Sequence, residues 1–147
     1  MRVVVQKVKN ASVKVNNRLV GEIKNGLVVL AGYESSDNSE DISWMVQKII
    51  KMRIFDDSEN KLNFSILDVN GEILLISQFT LHASVKKGNR PSYIKAADSK
   101  KAKQMYDQTI REFETLLKRK ISTGKFGANM EVSLVNNGPV TITIDTK

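Results

Sequence analysis

Two short stretches carry the groups best suited to chemistry. Ser77-Gln78-Phe79-Thr80 closes the apolar run Ile73-Leu74-Leu75-Ile76 with two hydroxyls, an amide and an aromatic ring. Where a strand leaves its sheet its backbone N–H groups also come free, and sites are often built there. Gly138-Pro139 stands between Leu134-Val135 and Val140-Thr141-Ile142-Thr143-Ile144, stretches that alternate like strands. An X-Pro bond takes the cis form at a cost of about 0.5–1 kcal/mol. Gly138 lacks a Cβ, so another molecule can approach the main chain closely at this point. Together the two stretches describe a site built largely from backbone. Ser77 and Thr80 read equally well as residues that simply end a strand.

The missing residue types bound the chemistry. There is no cysteine, which excludes thiolate nucleophiles, CxxC redox pairs and zinc ribbons. The single histidine is His82, and there is no HExxH, no GxxxxGK[ST] and no GxGxxG. No metal or cofactor is expected. A Ser-His-acid triad would have to use His82, which stands two residues beyond Thr80 and would share its face of an extended strand. Lacking an identifiable acid to orient it, His82 reads better as a hydrogen-bonded or solvent-facing strand residue. Asp56-Asp57-Ser58-Glu59-Asn60 contains paired carboxylates, but in a run of turn formers, and reads as a loop. An enzyme so equipped must work by positioning and oxyanion stabilisation, which suits an activated ester better than an amide or phosphodiester.

Charge points toward polyanions. Twenty-three Lys plus Arg against sixteen Asp plus Glu give +7, a balance that attracts nucleic acid or simply keeps the chain soluble. The loop Lys86-Lys87-Gly88-Asn89-Arg90 is either a phosphate contact or a solvated turn. Lys100, Lys101 and Lys103 fall at the start of a helix, where cations oppose the macrodipole, an arrangement more easily understood if an anion binds there. Met1 to Lys9 is too short and too charged for a signal sequence, and no run approaches a membrane span. A cytoplasmic protein without membrane partners is expected.

The elements that must position these groups follow from periodicity. Residues 2–9, 12–16 and 19–24 read as strands, and Asn25-Gly26 as a hairpin turn into Leu27-Val28-Val29-Leu30. The continuous apolar run Leu27 to Ala31 predicts a strand covered on both faces. After the polar linker 35–39, Ile42, Met45, Val46, Ile49 and Ile50 recur at helical spacing, with Trp44 and Met52 widening the stripe and Trp44 in the core. Residues 72–81 form a central strand. A second helix runs from Asp98 or Ser99 to about Lys120, burying Ala102, Met105, Ile110, Phe113, Leu116 and Leu117; Gly124 and Gly127 then break the chain before a final strand pair. This order predicts one α+β domain over residues 1–147: an antiparallel, barrel-like curled sheet with helices packed outside.

Over essentially its whole length the chain resembles the D-aminoacyl-tRNA deacylases. The landmarks are Val5-Gln6-Lys7-Val8 with Ala11-Ser12-Val13, Lys51-Met52-Arg53-Ile54-Phe55, Ser77-Gln78-Phe79-Thr80-Leu81, Lys87-Gly88-Asn89-Arg90-Pro91-Ser92, Phe126-Gly127-Ala128 and Asn136-Asn137-Gly138-Pro139-Val140-Thr141. The resemblance implies a homodimer in which a cis Gly138-Pro139 loop from one subunit enters the other's pocket beside Ser77-Gln78-Phe79-Thr80. Two main-chain carbonyls there would accept hydrogen bonds from the substrate α-amino group. An L side chain would then be driven into the loop, while a D side chain or the hydrogen of glycine would be admitted.

The resemblance also implies roles for single residues. Ser77, Gln78, Phe79 and Thr80 would surround the terminal adenosine and the ester, with Phe126 and Met130 shaping the adenine side. Water assisted by the ribose 2′-hydroxyl is a better nucleophile than Thr80, which has no evident base. On charge rather than resemblance, Lys86, Lys87, Arg90, Lys100, Lys101 and Lys103 would meet tRNA. Lys7 stands where the family commonly has an arginine bracing the Gly-Pro loop, and a lysine cannot form the same planar fork. His82, Ser84 and Asn137 also depart from the usual tyrosine, aspartate and aspartate. The expected activity is hydrolysis of D-aminoacyl-tRNA and of mischarged glycyl-tRNA. The reading from another class is a nucleic-acid-binding dimer without catalysis.

Overall fold

Strand β1 (Arg2–Val15) is the spine of the molecule, and the computed structural model describes residues 1–147. It pairs antiparallel with β2 (Arg18–Ile23), with β3 (Gly26–Gly32) and, along nearly its whole length, with β8 (Glu131–Asp145). The two strands expected over 2–16 are therefore one. The turn into β2 uses Asn16 and Asn17, both at positive φ, a conformation asparagine tolerates. The last strands differ as well. Instead of a pair, β8 is one strand of 15 residues, preceded by the two-residue β7 (Ser122–Thr123).

Beyond β3 the sheet turns parallel. β3 pairs with β6 (Glu72–Ser77) in register Leu27↔Ile73 to Ala31↔Ser77, and β6 pairs in parallel with β7. A parallel pair needs a crossover, supplied here by α1 (Ser39–Lys51) and the small hairpin of β4 (Phe55–Asp56) and β5 (Leu62–Phe64). The antiparallel expectation thus holds around β1, and the sheet as a whole is mixed. The Ser122 hydroxyl donates to the Glu22 carbonyl at 2.7 Å, drawing β7 toward β2 so that the sheet nearly closes into a barrel.

Two apolar clusters follow from this curvature. Val8, Ala11, Val13, Ile23, Val28, Leu74 and Ile76 fill the barrel, while Val3, Val5, Leu27, Val29, Ile73 and Leu75 face α1 and α2 (Ser99–Leu117). β3 is covered on both faces, as its uninterrupted apolar run predicts. α1 starts at a capping box in which Asn38 accepts from the Glu40 and Asp41 N–H groups and Asp41 returns a bond to the Asn38 N–H. It buries the expected Ile42, Met45, Val46, Ile49 and Ile50. Trp44, expected in the core, is 46% exposed, with the Lys48 ammonium 5.4 Å from its ring centroid. Only one stripe of α1 faces the sheet, and Trp44 lies off it. α2 buries Ala102, Met105, Tyr106, Thr109 and Phe113, whereas Leu116 is exposed and Leu117 half-buried near the helix end. Neither helix is long and apolar enough to cross a membrane.

The chain ends are tied to the α1 entry. Asp37 is buried and accepts from the Met1 ammonium at 2.5 Å, Lys147 Nζ at 2.9 Å and the Glu34 N–H at 2.7 Å. Burial pushes its carboxyl upward, but the Glu34 N–H, Lys147 and the terminal ammonium outweigh this and hold it below the usual range. A depressed carboxylate stabilises the fold above its unfolded value, near 3.9, and that contribution is lost as pH falls through the folded value.

Two stability outcomes are expected. Phe113→Ala should cost about 3–5 kcal/mol in urea denaturation and Trp44→Ala only about 1 kcal/mol, reversing the order that a core tryptophan would give. Asp37→Asn should cost about 3–5 kcal/mol at neutral pH, with the gap to wild type narrowing below about pH 4. A gap that stays constant into strong acid would contradict this assignment.

Candidate active site

The strand predicted over 72–81 stops at Ser77: the Gln78 N–H makes the last ladder bond, to the Ala31 carbonyl at 2.8 Å, and the chain then coils into a 3-10 turn, Phe79–His82. Gly32 permits this close crossing. A Cβ there would lie 2.7 Å from the Gln78 carbonyl and 3.0 Å from the His82 ring. The turn closes through Leu81 N–H to Gln78 O and Ala83 N–H to Thr80 O, which leaves the Phe79 and Thr80 N–H groups without an intrachain acceptor. Two neighbouring donors are thus presented at the end of a buried strand. The Gln78 side-chain amide donates to the Thr80 hydroxyl, fixing both.

A cavity of about 340 Å³ opens beside this turn, lined by Ser77, Gln78 and Phe79, by Tyr33 and Gly32 of the β3 end, by Ala97, Ser99 and Ala102 of the α2 entry, and by Phe126, Gly127 and Met130. No lining residue is charged. Phe126 is set by Tyr106, whose ring lies 5.6 Å away centroid to centroid and whose hydroxyl donates to the Leu75 carbonyl at 2.8 Å. The Tyr33 hydroxyl meets Thr109 Oγ1 at 2.9 Å. Burial pushes both phenols well above their ordinary range, so neither offers a base near neutrality.

His82 is not on a strand face with Thr80. It closes the 3-10 turn and is buried against Gly32, its Nδ1 3.0 Å from Glu34 Oε1 without hydrogen-bond alignment. Its distance from any attacking hydroxyl is not bridged by a hydrogen bond, so a triad has no support.

Gly138-Pro139 lies elsewhere, on the exposed part of β8. Between the pairs Gln6↔Thr141 and Val8↔Asn136, β1 advances two residues while β8 advances five, so the Gly-Pro segment bulges out of the ladder. Its peptide bond is cis. Gly138 has φ +124, and a Cβ there would come within 2.8 Å of Val140 Cγ2. Asn136 closes the bulge. Its Oδ1 accepts from the Val140 N–H at 3.0 Å and its Nδ2 donates to Thr141 Oγ1 at 3.0 Å, while Gln6 Nε2 supports Thr141 at 3.3 Å. β8 pairs with β1 alone, leaving its other edge open, with Val132 and Val135 exposed.

Lys7 falls opposite this bulge. It is only 2% exposed, and its ammonium donates to Asp56 Oδ2 at 2.8 Å, so Asp56, read as part of a turn, belongs to β4 and neutralises a buried cation. The turn itself is Asp57 to Asn60. Of the basic residues singled out, Lys103 is held by both Asp107 oxygens at 2.6–2.7 Å and Lys101 donates to the Ser35 carbonyl, whereas Lys86, Lys87, Arg90 and Lys100 form no ion pair. The sequence gives no site role to Asn136, Asp56 or Tyr33: Asp56 reads as a loop carboxylate and Asn136 stands only within a family landmark. Only Asn136 carried a signal, as a residue able to hydrogen-bond the backbone of a following turn.

Comparison with known proteins identifies the family and the fold. A family model described as D-Tyr-tRNA(Tyr) deacylase matches residues 4–145. The D-aminoacyl-tRNA deacylase of Flavobacterium psychrophilum is 52% identical and that of Thermosipho africanus 50% identical, each over 147 residues covering 100% of this chain and 98% of the relative. Among solved structures, the c-Myc DNA unwinding element binding protein superposes with TM-score 0.95 at 37% identity, over 100% of this chain and 99% of its own. A probable eukaryotic D-amino acid tRNA deacylase shares the fold, with TM-score 0.84, 18% identity and 97% of each chain covered. By the match along its length and by these relatives, the chain belongs to the D-Tyr-tRNA(Tyr) deacylase family.

Proposed function

We propose that this protein hydrolyses the ester of D-aminoacyl-tRNA, and of glycyl-tRNA, releasing the amino acid and tRNA. The observation that carries the reading is an uncharged cavity beside two free backbone donors, with a stapled, exposed Gly-Pro bulge that takes no part in lining the protomer's own cavity. A substrate ammonium finds no carboxylate among the lining residues. Main-chain carbonyls of a second subunit's bulge would supply the acceptors, and the open edge of β8 with Val132 and Val135 is suited to burial in such a dimer. Once the ammonium and ester are fixed, an L side chain collides with the bulge. A D side chain points away, and glycine has nothing to collide.

The Phe79 and Thr80 N–H groups would face the oxyanion of the tetrahedral intermediate, where preorganised donors are worth about 10²–10³ in rate each. Ser77 and Gln78 would hold the ester and ribose, and Phe126 and Met130 the adenine. Water would attack with help from the ribose 2′-hydroxyl. Lys7, neutralised by Asp56, would brace the strand under the bulge.

A second reading is a nucleic-acid binder without catalysis, favoured by the name of the neighbour at 37% identity and by the unpaired cations Lys86, Lys87 and Arg90. The two separate cleanly. Purified protein incubated with D-tyrosyl-, L-tyrosyl- and glycyl-tRNA should deacylate the first and third and spare the second; equal rates on both tyrosyl esters, or none on any, would defeat the deacylase. Asn136→Ala should lower kcat/KM on D-tyrosyl-tRNA about 10- to 100-fold through a misplaced bulge and narrow the D-to-L ratio, with salt-dependent tRNA affinity unchanged.

A further inference from the structure

Beyond Phe79 the surface changes character. Phe79 is 56% exposed and lines the cavity on one side, and on the other its ring meets Tyr93 edge to face, centroids 5.0 Å apart at 70°. Past Tyr93 lies a separate hollow of about 360 Å³ lined by Ser84, Lys86, Lys87, Ser92, Ile94 and Lys95. Three ammonium groups share it, and none has a carboxylate partner. Paired N–H···O bonds between Ser84 and Ser92, at 2.8 and 2.9 Å, close the loop carrying Lys86 and Lys87 and so hold these charges beside Lys95. Like charges gathered without a counter-charge repel, and an anion relieves that cost. Ile94, 93% exposed, is an apolar group left in the middle of this basic surface. Cations tracking a backbone beside an aromatic platform are the means by which single-stranded nucleic acid is bound without reading its sequence.

We infer that this hollow binds the two nucleotides preceding the terminal adenosine of the aminoacylated RNA, with their phosphates on Lys86, Lys87 and Lys95 and one base stacked on Tyr93. The inference rests on the deacylase reading for what fills the main cavity, and it assigns Tyr93 and Lys95 a role the sequence did not suggest. The Phe79–Tyr93 pair becomes the ridge over which the single strand passes. Its physical consequence is that affinity is built from the unpaired 3′ end, common to all tRNAs, without contact to the sequence-specific body.

Binding of amide-linked, non-hydrolysable D-alanyl analogues of A, CA and CCA separates this subsite from catalysis. Wild-type affinity is expected to rise at least about tenfold from A to CCA, roughly one base stack with phosphate contacts. The salt slope should steepen by about 0.7 per phosphate engaged. Tyr93→Ala and the triple variant Lys86→Gln/Lys87→Gln/Lys95→Gln should each erase most of that gain, and Tyr93→Phe should keep it; the single-adenosine analogue reports folding of every variant. Equal wild-type affinity for A and CCA, or a gain that survives in both variants, overturns the inference. A full CCA gain in a protein that leaves D-tyrosyl-tRNA intact would instead overturn the deacylase reading and keep the subsite.

Discussion

The structure turns on a bulge that leaves its own ladder. Backbone groups taken out of an antiparallel pair must find partners elsewhere, and in the bulge between Asn136 and Thr141 the N–H and carbonyl of Val140 are met by the Asn136 side chain. Asn136 spans the insertion, so the Gly-Pro segment is held in place while pointing outward. Had the bulge folded back over its own protomer, its carbonyls would be spent on local donors. Instead they stand on a strand whose far edge has no neighbour. The cavity has the opposite shortage, with room, aromatic walls and N–H donors but no carboxylate to meet an ammonium group. Two surfaces of one chain are each incomplete in the way the other would remedy.

On the proposed reading, that complementarity is how a cavity with no charged lining residue would act on an ester. The tyrosines near the cavity are held protonated by burial, and the only histidine is committed to packing under the turn beside Gly32. What remains is geometry: donors fixed by the end of β6, rings fixed by α2, and a bulge fixed by Asn136. Preorganised dipoles cost nothing to reorganise during reaction. On the same reading the bulge would carry selectivity, because a rigid obstacle discriminates mirror images without contacting the side chain it admits.

Much of this was legible in the residues, and the failures are instructive. The apolar run Leu27–Ala31 announced a strand covered twice, and the stripe of α1 was read correctly because helical spacing survives whatever the tertiary context. Trp44 was misjudged because ring size argues for burial while position on the helix decides it. The strand expected over 72–81 ends earlier, since Phe79 to Leu81 has strand-like composition but coils into a 3-10 turn closed by the Leu81 N–H on the Gln78 carbonyl. Long-range pairs were invisible altogether. No local pattern couples Lys7 to Asp56, or sets Tyr93 against Phe79, because both depend on how the crossovers place distant segments.

The central claim is that a working site takes its cavity from one protomer and its bulge from another, and mixing two inactive proteins tests it directly. One carries Gln78→Ala in the cavity, the other Gly138→Ala in the bulge, and each alone should be inactive on D-tyrosyl-tRNA. After unfolding and refolding together, half of the dimers would be mixed, and in each of those one site combines an intact cavity with an intact bulge. Recovery of about one quarter of wild-type activity is the expected result for a two-fold dimer. No recovery, with mixed dimers verified by mass, would place both parts of the site on the same chain and contradict the account.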